Sequence, residues 1–92
     1  MKFLEGAPAF AVEVRSEGDY GTKAEAAMAA KRADYFAAGT LVVWDVDLVG
    51  PVAIRKYTSD APGSPGEFRR GETADAEPAL PEWRFEVNDL FI

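Results

Sequence analysis

The chain has 92 residues, enough for one small domain with a single core. Its 48% apolar and 28% charged residues are typical of a folded protein, and the absence of Cys and His excludes disulfide frameworks, the usual zinc sites and Cys or Ser-His-Asp catalysis. The net charge of −6 gives no support for nucleic-acid binding by the general surface, so the remaining chemistry is that of carboxylates, Lys, Arg, Tyr, Ser and hard cations such as Mg²⁺.

The first predicted element is a short strand at residues 8–16, in which the neighbours of one acidic residue are mostly apolar. Such a run is typical of a strand covered on both faces. Its carboxylate, Glu13, is costly to bury unless it is paired, bound to a cation or open to a cleft. Glu13 is therefore a candidate functional residue, and an internal ion pair with Arg15 or Lys31 is the structural alternative.

The second predicted element is a helix at residues 24–38, because this segment is rich in alanine and holds neither Gly nor Pro. Thr22 and Glu25 have the spacing of a capping box at its start, and Gly39 is the expected C-cap. Five residues share one face through their i, i+3, i+4 and i+7 spacing, and we expect this face to pack on a sheet: Ala24, Ala27, Met28, Lys31 and Tyr35.

Further strands are predicted after the helix. The β-branched and aromatic residues at 41–47 indicate a second strand, which completes a strand–helix–strand unit with parallel strands and a right-handed crossover. After the turn at Gly50-Pro51, residues 52–57 should form a third strand, antiparallel to the second. Residues 59–67 contain two Pro and two Gly and predict an exposed loop.

The C-terminal part is less regular. Residues 72–79 are polar and ambiguous, 80–83 indicate a turn, 84–87 alternate like a half-buried strand, and the apolar end at 89–92 is expected to pack onto the body. No apolar run reaches the roughly 18 residues of a membrane span and no signal-peptide pattern is present, so we expect a cytoplasmic protein without a membrane partner. The predicted fold class is α/β, one domain over residues 1–92, with a mixed sheet built on one strand–helix–strand unit followed by antiparallel strands.

Several other residues have mainly structural interpretations. Tyr35 and Trp44 are interpreted as core aromatics and not as substrate-stacking residues. Asp45 and Asp47 alternate with apolar residues and are interpreted as solvated or edge charges instead of a second metal pair. Three basic dipeptides are interpreted as solvated surface and not as a binding patch: Lys31-Arg32, Arg55-Lys56 and Arg69-Arg70.

Four segments, taken in order, carry a resemblance to a known family. They are Pro-Ala-Phe-Ala-Val-Glu-Val-Arg-Ser at 8–16, Lys-Arg-Ala-Asp-Tyr-Phe-Ala-Ala-Gly at 31–39, Leu-Val-Val-Trp-Asp-Val-Asp at 41–47, and Leu-Pro-Glu-Trp followed by Asp-Leu-Phe within 80–91. This series resembles the Uma2 family (DUF820), endonucleases of the PD-(D/E)XK type. The resemblance covers nearly the whole chain but only the C-terminal part of a family domain, and it implies a fragment of a restriction endonuclease-like core.

The resemblance also implies a site. Glu13 matches the acidic metal ligand on the central strand, and Lys31 matches a lysine on the following helix that orients or activates the attacking water. Mg²⁺ is the implied cofactor and DNA the implied partner, for phosphodiester hydrolysis by the complete domain. Arg15 lies on the same strand face as Glu13, where a lysine would complete the strict motif. Because arginine keeps its proton, Arg15 is a candidate phosphate clamp and not a base.

The sequence departs from the family in ways that leave other functions open. The aspartate of the first motif would lie upstream of this chain, and Ala9 stands where many members carry an aspartate. With Glu13 as its one ligand the metal site is weak, so we expect the isolated chain to be inactive unless Asp19 or a partner chain supplies a second ligand. One alternative is a non-catalytic interaction module that forms homo-oligomers through the open edge of the first strand. Another is an unrelated α/β domain in which the Glu13–Lys31 contact is structural.

Overall fold

The computed structural model describes residues 8–91 of the chain, and they form one α-helix and two sheets. A mixed sheet has the strand order β1-β2-β3-β4, and β5 and β6 form a separate antiparallel pair. No helix among the described residues is long and apolar enough to cross a membrane. The elements in chain order are β1 (Phe10–Val14), α1 (Thr22–Ala37), β2 (Val42–Val46), β3 (Ile54–Thr58), β4 (Ala61–Phe68), β5 (Thr73–Ala76), β6 (Leu80–Glu86) and a 3₁₀ helix (Val87–Phe91).

The predicted strand–helix–strand unit is confirmed. β1 pairs in parallel with β2, and Glu13 lies opposite Asp45 in their register. β2 then pairs antiparallel with β3, as predicted from the turn at Gly50-Pro51. Because side chains alternate between the faces of a strand, Glu13 and Asp45 lie on one face of this sheet together with Arg15, and Trp44 lies on the other.

The prediction of a loop at residues 59–67 is wrong. This segment is exposed, as expected, but it forms most of β4, which pairs antiparallel with β3 and has a register irregularity between Lys56 and Thr58. β4 is the last strand of its sheet, so one side of its backbone has no strand neighbour among the described residues. Pro62 and Pro65 are compatible with such an edge position, because an edge strand does not need every backbone N–H. The Pro and Gly content of the segment alone did not suggest a strand.

The C-terminal segment is more regular than its sequence indicates. The predicted turn at residues 80–83 is instead the first half of β6, where Glu82 has a positive φ of 66°. The predicted strand at residues 84–87 belongs to the same element up to Glu86. The expectation that the apolar end packs onto the body is confirmed for Leu90 and Phe91, while Ile92 lies outside the described residues.

The apolar core lies between the four-stranded sheet and the β5–β6 pair. Trp44 is buried there, as predicted, and its indole N–H donates to the Asp75 carbonyl at 3.0 Å. Its ring lies within 6 Å of three other aromatic side chains, an arrangement that adds to the free energy of burial. The buried residues of this cluster are Val42, Trp44, Val46, Ala53, Ile54, Ala74, Ala76 and Val87.

Helix α1 covers the face of the four-stranded sheet that is opposite the apolar core, and it has no fully buried residue. The predicted capping box is wrong: the N-cap is Gly21 and no side chain caps the helix, because the Glu25 carboxylate binds Arg15 instead. The C-cap is Ala38 and not Gly39, so the predicted glycine lies one position later than expected, where it has a φ of +112°. The half-buried side chains of α1 are Ala24, Met28, Arg32, Tyr35 and Phe36, so Ala27 and Lys31 are more exposed than predicted.

Candidate functional site

An open cleft of about 770 Å³ lies between β1 and the N-terminal half of α1. The strand contributes Glu13 and Val14, the β1–α1 loop contributes Asp19, and the helix contributes Lys23 and Lys31. The cleft therefore combines carboxylates and ammonium groups on its walls. The strand–helix–strand unit places Glu13 and Lys31, the two main site residues expected from the sequence, at this cleft.

Glu13 and Lys31 form the contact that the sequence predicted. The Lys31 ammonium binds the Glu13 Oε1 atom, and the exposed fractions of the two side chains are 27% for Glu13 and 60% for Lys31. The hydrogen bond to Glu13 and its negative charge raise the pKa of Lys31. Lys31 is thus an ammonium at neutral pH, suited to orienting an anion or a water but not to accepting a proton.

Arg15 is the centre of a buried ion-pair network. Its Nε and Nη2 atoms donate to the two Asp45 oxygens at 2.9 and 2.8 Å, and Nη1 and Nη2 also donate to the Glu25 carboxylate. Nη1 donates further to the Asp19 carbonyl at 2.9 Å. All five guanidinium N–H groups have acceptors, and the hydrogen bonds to Glu25 and Asp45 raise the pKa of Arg15. A phosphate clamp at Arg15 would require the release of some of these bonds.

Asp45 is buried and not solvated, which corrects the interpretation from sequence. It is 1% exposed, and besides Arg15 it has the Arg32 Nη1 atom at 3.9 Å. The Arg32 guanidinium also lies over the Tyr57 ring, 3.8 Å from its centroid. Asp45 is the carboxylate opposite Glu13 in the sheet, but Arg15 holds both of its oxygens. Asp45 on β2 therefore binds Arg15 at the end of β1 and lies near Arg32 of α1. It is not available as a second metal ligand without rearrangement.

Asp47 is a second correction, because it is 6% exposed. One of its oxygens accepts hydrogen bonds from the Tyr20 hydroxyl at 2.7 Å and from the backbone N–H groups of Val49 and Gly50 at 3.0 and 2.9 Å. Burial by itself would raise the pKa of Asp47, but these hydrogen bonds outweigh it and lower the pKa. Asp47 fixes the β2–β3 turn and the loop that carries Tyr20.

Two other carboxylates near Glu13, those of Asp45 and Asp19, are engaged by hydrogen bonds within the described part of the chain. No group of three or more Asp, Glu, His or Cys side chains within residues 8–91 could hold a metal ion. The Asp19 carboxylate accepts hydrogen bonds from the Ser16 backbone and hydroxyl, and these lower its pKa. Its role in this structure is to close the turn after β1.

The basic dipeptides are paired within the protein. Of their residues, Arg32 and Lys56 have side chains only 14% and 15% exposed, so the interpretation of these two as solvated is wrong. Pairing with carboxylates offsets the positive charge of five of these six residues, which weakens their attraction for a phosphate backbone. The contacts are Lys31 with Glu13, Arg32 with Asp45, Arg55 with Glu67, Lys56 with Asp75, Arg69 with Glu67 and Arg70 with the Phe91 ring.

Sequence reasoning missed Asp45, Asp47 and Tyr20 as parts of the polar network on this face. The parallel register expected for the first two strands was a usable signal, since it brings Asp45 beside Glu13 and Arg15. The partner of Asp47 was harder to find because Tyr20 lies in an irregular loop 27 residues away. Comparison with known proteins adds no family to this geometry: no family model matches the chain, and no curated protein matches it.

Proposed function

We propose that this chain is an endonuclease-like domain with an incomplete metal site, in which Glu13 and Lys31 are the retained part. The proposal is supported by one observation above all: the strand–helix–strand unit brings the Glu13 carboxylate and the Lys31 ammonium together at an open cleft. The resemblance to the Uma2 family and its restriction endonuclease-like core supplies the type of reaction, which is metal-dependent hydrolysis of phosphodiesters.

The residues at the cleft have a chemistry that fits part of this task. A carboxylate offers about four lone-pair positions, and Lys31 occupies one of them on Glu13. Glu13 can therefore take one position around a hard cation, and Mg²⁺ sites use one or two carboxylates together with water and substrate phosphates. A bound Mg²⁺ would stabilise the negative charge that develops on the phosphate, and Lys31 would orient an anionic oxygen beside it.

The same residues explain why the isolated chain should be inactive. Glu13 is a single ligand, Asp45 is held by Arg15, and Asp19 is held by Ser16. The chain also carries a net charge of −6, which repels DNA at long range. A second acidic ligand and additional positive charge are needed before cleavage proceeds at a useful rate.

The test is where a divalent cation binds. Mn²⁺ added in small amounts to ¹⁵N-labelled protein should broaden the amide signals of Phe10–Val14 and of the facing turn of α1 before other signals. Glu13→Gln should remove this localised broadening, and Glu86→Gln, which alters an exposed carboxylate on β6, should leave it unchanged. Uniform broadening, or equal broadening in the Glu13→Gln variant, would exclude Glu13 as a metal ligand and overturn the proposal.

A further inference from the structure

β1 has an open backbone edge among the described residues, since the sheet order places it outermost. Hydrogen bonds at both ends of the strand show which residues face β2: Ala9 accepts from the Leu41 N–H, and the Arg15 N–H donates to Val46. Backbone groups alternate in direction along a strand, so the odd-numbered residues face β2 and the even-numbered ones face outward. The outward-facing residues of β1 are Phe10, Val12 and Val14.

The side chains at this edge are apolar and accessible. Val12 is 46% exposed and Val14 is 59% exposed, although both belong to a strand. An accessible strand edge with apolar side chains is a template for pairing with another strand. The Ser16 N–H donates to the Asp19 carboxylate, so the open part of the edge ends at Val14.

We propose that β1 pairs antiparallel with β1 of a second copy of this chain, about a two-fold axis at Val12. In this register Val12 lies opposite Val12 and Phe10 lies opposite Val14, and each such pair exchanges two backbone hydrogen bonds. It is the register that satisfies all the outward-facing residues of both strands. A shift by two residues would leave some of them without a partner.

Charge complementarity favours a second copy of the chain as the occupant. On the helix-covered face, the two Glu13 residues flank the axis as diagonal neighbours, with Cα atoms about 7–8 Å apart. Lys31 is 60% exposed and has three ammonium donors, of which its own Glu13 uses one. Each Lys31 can therefore bind Glu13 of both copies, so that two carboxylates and two ammonium groups alternate around the axis without net charge.

The helices add to this interface. Lys31 of α1 contacts β1 and Arg32 contacts β2, so α1 lies above these two strands. In the paired sheet, the two α1 helices would be two strand spacings apart, about 9.5 Å, which is within the usual distance between packed helices. On each copy the contact would consist of one strand edge and one side of the 16-residue helix α1.

Sedimentation equilibrium over a wide range of protein concentrations tests this pairing without metal or DNA, so its result is independent of the proposed function. We expect a monomer–dimer equilibrium that Val12→Lys weakens at least tenfold, because it places two ammonium groups at the axis. Val49→Lys is the matched control, since Val49 is 85% exposed and lies outside β1. Urea unfolding of each variant verifies that it is folded.

Exchange of the two charged residues gives a second, independent test. Lys31→Glu should weaken the dimer, and Glu13→Lys combined with Lys31→Glu should restore it, because the alternation of charges is recovered. A monomer at all concentrations, or a dimer that neither Val12→Lys nor Lys31→Glu weakens, would overturn the proposal. Dimerisation that appears only after removal of residues 1–7 would also overturn it, and would identify that segment as the occupant of the edge.

Discussion

The substitution Arg15→Met tests whether the network under α1 is a buried charge site. Arg15 is 3% exposed in its side chain and binds both oxygens of Asp45, which is itself 1% exposed. Removal of one partner from a buried ion pair costs about 3–5 kcal/mol, because the other charge remains in a poorly solvated place. Arg32, at 3.9 Å from Asp45, compensates for part of this loss. We therefore expect the free energy of unfolding to fall by about 3 kcal/mol.

Two further variants separate burial from charge. Glu25→Gln removes an ion pair to the same guanidinium, but the Glu25 side chain is 50% exposed, so the cost should be below about 1 kcal/mol. Arg15→Met combined with Asp45→Leu removes both buried charges, and it should recover most of the stability lost in the single variant. The contrast between these variants does not depend on the absolute stability of the protein.

Urea unfolding monitored by Trp fluorescence measures these differences at neutral pH. A loss of about 3 kcal/mol is a large fraction of the roughly 5–15 kcal/mol of a typical domain, and it corresponds to a decrease in Tm of about 12–24 °C for a chain of this size. A loss below about 1 kcal/mol for Arg15→Met, or one equal to that of Glu25→Gln, would refute the reasoning. Asp45 would then be solvated, and the network would not hold the helix on the sheet.

Three other predictions follow from the site. Because the pKa of Asp47 is lower in the folded protein than its ordinary value of 3.8, its carboxylate stabilises the fold at pH values above 3.8, and this stabilisation is lost as the pH falls through the folded-state pKa. Acid unfolding curves should therefore show a steeper loss of stability for the natural chain than for Asp47→Asn. Parallel curves for the two proteins would contradict this. A Cβ at Gly50 would lie 2.7 Å from Asp47 Oδ2, so Gly50→Ala should cost about 1–3 kcal/mol in urea unfolding, whereas Gly63→Ala, with open space around it, should be nearly neutral. Purified chain with Mg²⁺ should not cleave plasmid DNA above background; robust cleavage that Glu13→Ala abolishes would mean that a second ligand is supplied and that the site is complete.

The strand–helix–strand unit could be predicted because its signals are local. The alanine-rich helix, the β-branched strand after it and the short connections determine the parallel pairing of β1 and β2. That pairing is also what made the Glu13–Lys31 contact predictable, since one residue lies on the strand and the other on the helix that crosses it. The apolar position of Trp44 followed from its side-chain type in the same way.

The errors involve partners that are distant in sequence. Asp45 and Asp47 have the alternation of solvated residues, yet Arg15 and Tyr20 satisfy them from 30 and 27 positions away. Glu25 has the spacing of a capping residue, but a guanidinium is a stronger partner for its carboxylate than a backbone N–H. In β4 the prolines indicated a loop because local sequence does not show that the segment lies at a sheet edge, where Pro is tolerated.

The most direct test of the incomplete metal site is anomalous diffraction from crystals soaked in Mn²⁺ as a substitute for Mg²⁺. The account predicts a peak about 2.1 Å from a Glu13 carboxylate oxygen, with no second carboxylate of the same chain among the ligands. A peak ligated by two or more carboxylates of one chain would show a complete site. The absence of any peak at Glu13, with Lys31 still bound to it, would contradict the central claim and leave the pair a structural contact.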